Sequence, residues 1–181
     1  MALFLCEKKM SKKLLAYALV AYIGTKSVLA TPMTRAEYCD YRGWEIPESE
    51  DPEEQVYLIE YTDGGKANDE RHSGYITMSP KEVFNNAYRQ NGSLTFGDAI
   101  VALKQGQRVA RSGWNGKGMF LYYVPENKYP VARNTLNTLD GLFEDNLVPY
   151  NAYFAIKNVN NTVSTWVPSI NDCLAEDWVV L

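Results

Sequence analysis

The residues best suited to binding chemistry surround a glycine-rich loop at positions 112–118. Its glycines allow backbone N–H groups to approach a ligand closely, and neighbouring arginine and lysine side chains suit phosphate. Aromatic side chains nearby offer flat faces on which a purine could stack, and later polar residues could hydrogen-bond a base edge or ribose hydroxyls. The residues predicted to bind a ligand are Arg108, Arg111, Trp114, Asn115, Gly116, Lys117, Met119, Tyr122, Ser169, Asn171 and Asp172.

Taken alone, this loop is a weak signal of a nucleotide site. It has neither the GxxxxGK[ST] spacing of a P-loop nor the GxGxxG spacing of a dinucleotide fingerprint. The alternative is that Trp114 and Trp166 belong to the core, the glycines make a tight turn and the arginines lie on the surface. We expect Phe96 and Trp178 to be core residues in either case.

The composition favours binding over catalysis. The chain has 181 residues and a net charge of −4, and this acidic balance argues against a general nucleic-acid coat protein. The single histidine, His72, excludes a multi-histidine metal site, and a Ser-His-Asp triad would have to use it. The three cysteines are far apart and form neither a disulfide framework nor a zinc quartet. We therefore expect binding ahead of catalysis, with no metal and no cofactor.

The N-terminal segment fits two interpretations. Lysines precede the apolar run Leu14–Ile23, and Val28-Leu29-Ala30 resembles a cleavage site, which is the layout of a secretory signal. The run is too short to span a bilayer, which needs about 20 residues. The same stretch also predicts an amphipathic helix of an intracellular protein. Residues 1–9 are predicted to be an extension before a second start at Met10. The apolar positions of the helix would be Leu14, Ala18, Ala21 and Val28.

The chain is predicted to form two small α+β domains, residues 10–92 and 93–181. The predicted elements of the first are a helix capped by Thr34 and Glu37 and ending at Tyr41, strands 56–61 and 74–78 around an Asp-Gly-Gly turn, and a helix from Ser79 that buries Val83, Phe84 and Ala87.

The second domain is predicted to be an antiparallel sheet with one main helix. Its predicted elements are a helix capped by Thr95 and Asp98 with Gly106 after its end, strand 107–111 with both arginines on one face, strand 119–124, an irregular stretch 125–151, strands 152–156 and 163–167, a short helix or turn at 168–175 and a final strand 176–181.

A second group of reactive side chains lies in the hairpin loop of the first domain. These residues are compatible with metal or acid–base chemistry, but loops collect polar residues by default. We therefore favour a solvated loop with one surface histidine. The group consists of Asp63, Asp69, Glu70 and His72.

The first domain carries several short motifs within roughly residues 22–89. They are Gly24-Thr25-Lys26, Pro32-Met33-Thr34-Arg35, Tyr41-Arg42-Gly43-Trp44, Glu60-Tyr61-Thr62-Asp63-Gly64-Gly65 and Gly74-Tyr75-Ile76 with Ser79-Pro80-Lys81. With these motifs the domain resembles the gp-forty-nine/sixty-six-like family of small phage proteins. The resemblance implies a phage or prophage context and supplies no chemistry. It also places residues 26–30 inside the domain, which argues against cleavage there.

The second domain carries a more distinctive set of motifs. They are Phe96-Gly97-Asp98-Ala99, Leu103-Lys104-Gln105-Gly106, Val109-Ala110-Arg111, Gly113-Trp114-Asn115-Gly116-Lys117-Gly118-Met119, Trp166 followed by Ser169 and Asp172, and Leu174-Ala175-Glu176-Asp177-Trp178. This domain resembles the Thoeris anti-defence family of phage sponge proteins, of the second type described. The resemblance implies a protein that binds cyclic signalling nucleotides of bacterial immunity without cleaving them. The expected ligands are cyclic ADP-ribose isomers and, for some members, cyclic dinucleotides.

The resemblance also implies a homo-oligomer, with a tetramer favoured and ligand pockets between subunits. We therefore expect a phage protein that suppresses Thoeris-type or CBASS-type immunity in the cytoplasm of the host, with no nucleic-acid or membrane partner. Two alternatives remain open. One is a hydrolase of the same messengers that uses Asp172, Asp177 or Glu176 as a general base, and the other is a module that binds a host protein.

Overall fold

A computed structural model describes Gly24, residues 26–132 and residues 136–181 of the chain. The predicted start extension 1–9 and the apolar run Leu14–Ile23 lie outside the described residues. The described chain divides into two compact units, of which the first ends at Asn86 and the second begins at Ala87. Among the described residues, no helix is both long enough and apolar enough to cross a bilayer.

The first unit is a three-stranded antiparallel sheet with two helices. In chain order its elements are β1 (Val28–Thr34), α1 (Arg35–Arg42), β2 (Gln55–Tyr61), β3 (Ile76–Pro80) and α2 (Lys81–Ala87), and β2 lies between the other two strands. The predicted capping box of Thr34 and Glu37 is present at the start of α1. The predicted amphipathic helix is wrong at Val28, because this residue pairs with Tyr61 at the end of β2.

The core of the first unit lies between α1 and the sheet, where Tyr38, Val56, Leu58 and Ile76 are buried. The second helix does not bury the stripe predicted from its sequence. Val83 is 59% exposed and Ala87 is exposed, so those two predictions are wrong. Phe84 is half-buried, and its ring stacks on that of Tyr57 with the centroids 4.1 Å apart.

The second unit is α+β, as predicted, with one main helix on an antiparallel sheet. In chain order its elements are α3 (Phe96–Lys104), β4 (Val109–Arg111), β5 (Phe120–Val124), β6 (Asn127–Pro130), α4 (Leu136–Leu139), β7 (Leu147–Tyr150), β8 (Tyr153–Lys157), β9 (Val163–Trp166), α5 (Ile170–Cys173) and β10 (Trp178–Val180). The sheet has five strands in the order β10-β4-β5-β8-β9. The stretch predicted to be irregular contains a separate ribbon, in which β6 pairs with β7.

The main helix packs on one face of this sheet through Ala99 and Leu103, which are fully buried. Its predicted capping box of Thr95 and Asp98 is present, and Gly106 has the positive φ of +82° expected after a helix end. The core of the second unit therefore lies between α3 and this face of the sheet.

Candidate functional site

Asp177 holds the start of the glycine-rich loop between β4 and β5, and Lys157 Nζ donates to the backbone carbonyl of Gly118 at its end, at 3.2 Å. The Oδ2 atom of Asp177 accepts a hydrogen bond from the backbone N–H of Gly113 at 2.8 Å, and its backbone carbonyl accepts one from the N–H of Ser112 at 3.0 Å. A Cβ atom at Gly113 would lie 2.8 Å from the same Oδ2 atom, so this close approach requires glycine. Asp177 therefore ties the loop to the segment that leads into β10.

Arg111, at the end of β4, bonds two carboxylates. Its Nε donates to Oδ1 of Asp177 at 2.7 Å, and its Nη1 donates to Oδ1 of Asp172 at 2.8 Å. The hydrogen bond from Arg111 holds the pKa of Asp177 below its usual value. Burial acts to raise the pKa of Asp172, but hydrogen bonds from Ser169 and Arg111 outweigh it and the pKa is lowered. Because one guanidinium faces two carboxylates, the positive charge of Arg111 is already compensated.

The side chain of Asp172 also fixes the short helix α5. Its Oδ2 accepts hydrogen bonds from the backbone N–H of Ser169 at 3.0 Å and from the Ser169 hydroxyl at 2.7 Å. The Ser169 hydroxyl oxygen in turn accepts from the backbone N–H of Asp172 at 3.1 Å, which completes a capping box. Both carboxylate oxygens of Asp172 therefore have partners, whereas Asn171 beside it is exposed.

A cluster of aromatic rings lies beside the polar hub formed by Arg111, Asp172 and Asp177. Trp178 is fully buried, and its indole N–H donates to the backbone carbonyl of Asp172 at 3.2 Å. The rings of Phe96, Trp114 and Trp166 lie around it, with centroids 5.5, 5.6 and 6.1 Å from the Trp178 ring. The expectation that Trp178 belongs to the core is confirmed, whereas Phe96 is half-buried and packs against that core. Trp114 and Trp166 pack against the same core but stay half-buried, so each keeps part of its indole exposed.

In the middle of the loop, Gly116 packs closely against neighbouring side chains, whereas Asn115 and Lys117 are exposed. Gly116 faces Met119 and Val159 so closely that a Cβ atom there would overlap the Met119 sulfur and lie 2.6 Å from Cγ2 of Val159. Met119 is half-buried against the core. Asn115 and Lys117 are exposed, and within the described ranges no ion pair involves Lys117.

Arg108 and Tyr122 lie on the other face of the sheet from Arg111. Side chains alternate along a strand, so positions 108 and 111 point to opposite faces, and the prediction that both arginines share one face is wrong. The Arg108 guanidinium lies 5.1 Å from the centroid of the Phe120 ring, which is 6.3 Å from the Tyr122 ring. This second face therefore carries an exposed cation beside two aromatic rings.

The predicted residues thus fall into two groups. Those around Asp177 are contiguous in space, whereas Arg108 and Tyr122 are separated from them by the thickness of the sheet. None of the predicted residues lines either of the two described cavities, of about 590 and 410 Å³. The role of Asp177 in holding the loop was not predicted from the sequence. Its position directly before β10, the strand that pairs with β4, could have indicated that role. The first group consists of Arg111, Trp114, Ser169 and Asp172, together with their chain neighbours Asn115, Gly116, Lys117, Met119 and Asn171.

The single histidine of the chain lies in the first unit and is bonded through both ring nitrogens. Its Nδ1 lies 2.7 Å from Oε2 of Glu60, and its Nε2 lies 2.8 Å from the hydroxyl oxygen of Tyr41. Asp69 accepts two hydrogen bonds from the Arg71 side chain to its Oδ1 and Oδ2 atoms. The side chains of His72 and Asp69 are only 15% and 12% exposed, so the expectation of a solvated loop is wrong for both. In the part of the chain that the structure describes, no group of three or more His, Cys, Asp or Glu residues is placed to hold a metal ion.

Comparison with known proteins gives matches that cover the second unit. The model of the Thoeris anti-defense 2-like domain matches residues 94–181. A protein of Bacillus phage SP01, described as Thoeris anti-defense 2, is 40% identical to this chain over 88 residues. That match covers 49% of this chain and 94% of the phage protein.

Proposed function

Because the chain belongs to the Thoeris anti-defense 2-like family through residues 94–181, we propose that it is a phage anti-defence protein acting in the cytoplasm of the infected host. Its second unit binds a cyclic nucleotide immune signal and withholds it from the bacterial defence system, of the Thoeris or CBASS type. The signal is a cyclic ADP-ribose isomer or a cyclic dinucleotide, and it is released intact.

The observation that carries this proposal is the rigid glycine-rich loop beside two half-buried indoles. Trp114 and Trp166 are braced against Trp178 and still have exposed surface, which is the arrangement that a purine ring needs for stacking. The exposed side chains of Asn115 and Asn171 lie on the adjoining loop and helix and supply both donors and acceptors. Since Asp177 already fixes the start of the loop at Ser112 and Gly113, less conformational entropy is lost there when a ligand binds.

Phosphate binding is assigned to Lys117 and Arg108 in this proposal. Both are exposed, and within the described residues neither forms an ion pair. Arg111 faces two carboxylates that offset its charge, so its role in this proposal is to position the loop and its predicted contact with phosphate is not part of it.

The division of these residues between two sheet faces supports a site completed by a second copy of the chain. Arg108 and Tyr122 could reach a ligand held at Trp114 only if they came from another subunit. Three apolar side chains near the site are strongly exposed in the single chain, and burying them would favour association. They are Val167 at 78%, Ile170 at 74% and Leu174 at 76%. The assembly we propose is a homo-oligomer, with a tetramer favoured.

For two of the three candidate bases, Asp172 and Asp177, the state of the carboxylates favours sequestration over hydrolysis. A general base needs an oxygen that can accept a proton near neutral pH. The pKa values of Asp172 and Asp177 are lowered instead, and every carboxylate oxygen of the two already accepts a hydrogen bond.

Calorimetric titration of the full chain with cyclic ADP-ribose isomers and cyclic dinucleotides tests the proposal. At least one ligand is expected to bind at micromolar concentration or tighter. Lys117→Ala is expected to weaken that binding by about tenfold or more, since a hydrogen bond to a charged group contributes about 1.5–3 kcal/mol. Lys104→Ala, which removes an exposed lysine at the end of α3, is the matched control. Failure of every ligand to bind at micromolar concentration would refute the proposal.

A further inference from the structure

The glycine-rich loop is connected to the opposite face of the sheet by a residue that the sequence did not single out, Lys157 at the end of β8. Its Nζ donates a hydrogen bond to the backbone carbonyl of Gly118 at 3.2 Å. In the register of the sheet, Lys157 lies directly opposite Phe120 of β5. Directly opposite residues of an antiparallel pair have their side chains on the same face. Lys157 therefore starts from the face that carries Arg108, and its ammonium group reaches the end of the loop.

The Phe120 ring has a cationic residue on each side. The strand β5 lies between β4 and β8, and the Arg108 guanidinium, directly before β4, lies 5.1 Å from the centroid of the Phe120 ring. Lys157 is the neighbour of Phe120 on the β8 side. Lys117 is the chain neighbour of Gly118, whose carbonyl Lys157 bonds. Arg108, Lys157 and Lys117 thus follow one another along the surface, and we call them the cation group.

The charges of the cation group are not offset by carboxylates. Within the ranges that the structure describes, none of these three side chains forms an ion pair. Arg111 on the other face differs, because two carboxylates face it. Like charges that lie near one another repel, so a bound anion would lower the free energy of the cation group.

Lys157 has hydrogen-bonding capacity left for such an anion. An ammonium group has three N–H donors, and among the described residues the Gly118 carbonyl is the one acceptor that the Lys157 Nζ meets. The Arg108 guanidinium can bond two phosphate oxygens at once. Because three cations are available, the cation group suits a ligand with two phosphate groups better than a ligand with one negative charge.

We propose that Lys157 is a specificity-determining residue of the nucleotide site, where it binds, together with Arg108 and Lys117, a ligand that carries two phosphate groups. This inference rests on the proposed function and adds the chemical feature by which the ligand is selected. The ammonium group of Lys157 contacts a phosphate directly, and its hydrogen bond to Gly118 keeps it beside the loop. The site therefore selects doubly negative cyclic nucleotides over neutral nucleosides and over cyclic mononucleotides.

Calorimetric titration of the full chain tests this inference, with cyclic ADP-ribose isomers and cyclic dinucleotides as the ligands. Lys157→Met keeps a long side chain without the charge, and it is expected to weaken binding by about tenfold or more. Lys157→Arg keeps the charge and is expected to bind more tightly than Lys157→Met. Lys128→Met is the matched control, because Lys128 is an exposed lysine of β6 without an ion pair among the described residues. It is expected to bind as the unchanged chain does.

Salt dependence separates a contact with phosphate from a purely structural role of the bond to Gly118. Between about 0.1 and 1 M salt the Debye length falls from about 10 to 3 Å. The difference in affinity between the unchanged chain and Lys157→Met should therefore narrow as salt is added, whereas loss of a structural contact would weaken binding equally at both concentrations.

Two results would overturn this inference while the proposed function stands. One is an affinity of Lys157→Met equal to that of the unchanged chain, and the other is an equal loss of affinity in Lys157→Met and Lys157→Arg. An unchanged chain that binds none of the ligands would refute the proposed function itself, and this inference with it.

Discussion

The Nε atom of Arg111 and the Oδ1 atom of Asp177 lie 2.7 Å apart, and this pair joins β4 to the segment before β10. The other oxygen of the same carboxylate holds Gly113. The start of the glycine-rich loop is therefore anchored by a residue far from it in sequence. An anchored loop would suit the ligand retention proposed above, because ordering costs less on binding.

Asp177→Asn is expected to lower the free energy of unfolding by about 1.5–3 kcal/mol, the usual contribution of hydrogen bonds to charged groups. The amide keeps the size of the side chain but loses the charge that Arg111 requires. Urea denaturation measures the change, and ligand affinity should fall with it because the loop loses its anchor. Glu176→Gln, at the exposed neighbouring position, is the control and should stay within about 0.5 kcal/mol of the unchanged chain. Equal effects of the two substitutions would contradict the role of Asp177.

Gly116→Ala is expected to destabilise the second unit by about 1–3 kcal/mol, the usual cost of overpacking. The added methyl group would overlap the Met119 sulfur and lie 2.6 Å from Cγ2 of Val159, so these two side chains must shift. Gly97→Ala is a matched control, because its Cβ atom would meet nothing closer than 3.6 Å and the residue lies in α3. The control should be stabilised by about 0.4–1 kcal/mol. Thermal or urea unfolding of both variants would show opposite signs, and a neutral Gly116→Ala would count against the close packing described.

The stability of the second unit is expected to fall in acid because of Asp172 and Asp177. Their pKa values in the folded chain are below the value of about 3.9 in an unfolded chain. The unfolded chain therefore binds more protons as the pH falls through 4, and the free energy of unfolding decreases in that direction. The contribution is complete above about pH 5 and is lost as the pH falls through the folded pKa values. Urea midpoints measured from pH 6 to pH 3 should fall less steeply for Asp177→Asn, and parallel curves would contradict the linkage.

Ile170→Glu is expected to reduce the assembly to smaller species if Val167, Ile170 and Leu174 are buried between copies. A charged side chain cannot be buried in such an interface without a partner. Light scattering after size-exclusion chromatography measures the molar mass. Val83→Glu, at a 59% exposed apolar residue of the first unit, is the control and should leave the mass unchanged. A monomeric unchanged chain, or an Ile170→Glu chain of undiminished mass, would exclude this surface as an interface.

Local signals predicted most of the helices and strands but not the polar hub. The capping boxes of Thr34 with Glu37 and Thr95 with Asp98 are formed within one turn, so the sequence reveals them directly. The ribbon of β6 and β7 was missed because its strands are short and exposed and show no alternation of polar and apolar residues.

Side-chain hydrogen bonds between residues far apart in sequence could not be predicted from the spacing of residues along the chain. Arg111 bonds residues that are 61 and 66 positions away, and only the pairing of β4 with β10 brings them together. His72 likewise finds Glu60 and Tyr41 through the sheet and α1 of the first unit. In both places the residue type alone did not reveal the partner, because the partner is brought into contact only by the fold.

The mass of the small molecule released from the loaded protein tests the central claim most directly. The full chain is incubated with the cyclic nucleotide that it binds, separated from unbound ligand, and heated to release what it holds. Sequestration predicts a molecule with the mass of the intact cyclic nucleotide, in an amount that matches the sites occupied. A mass increased by one water, or no nucleotide retained at all, would contradict the account.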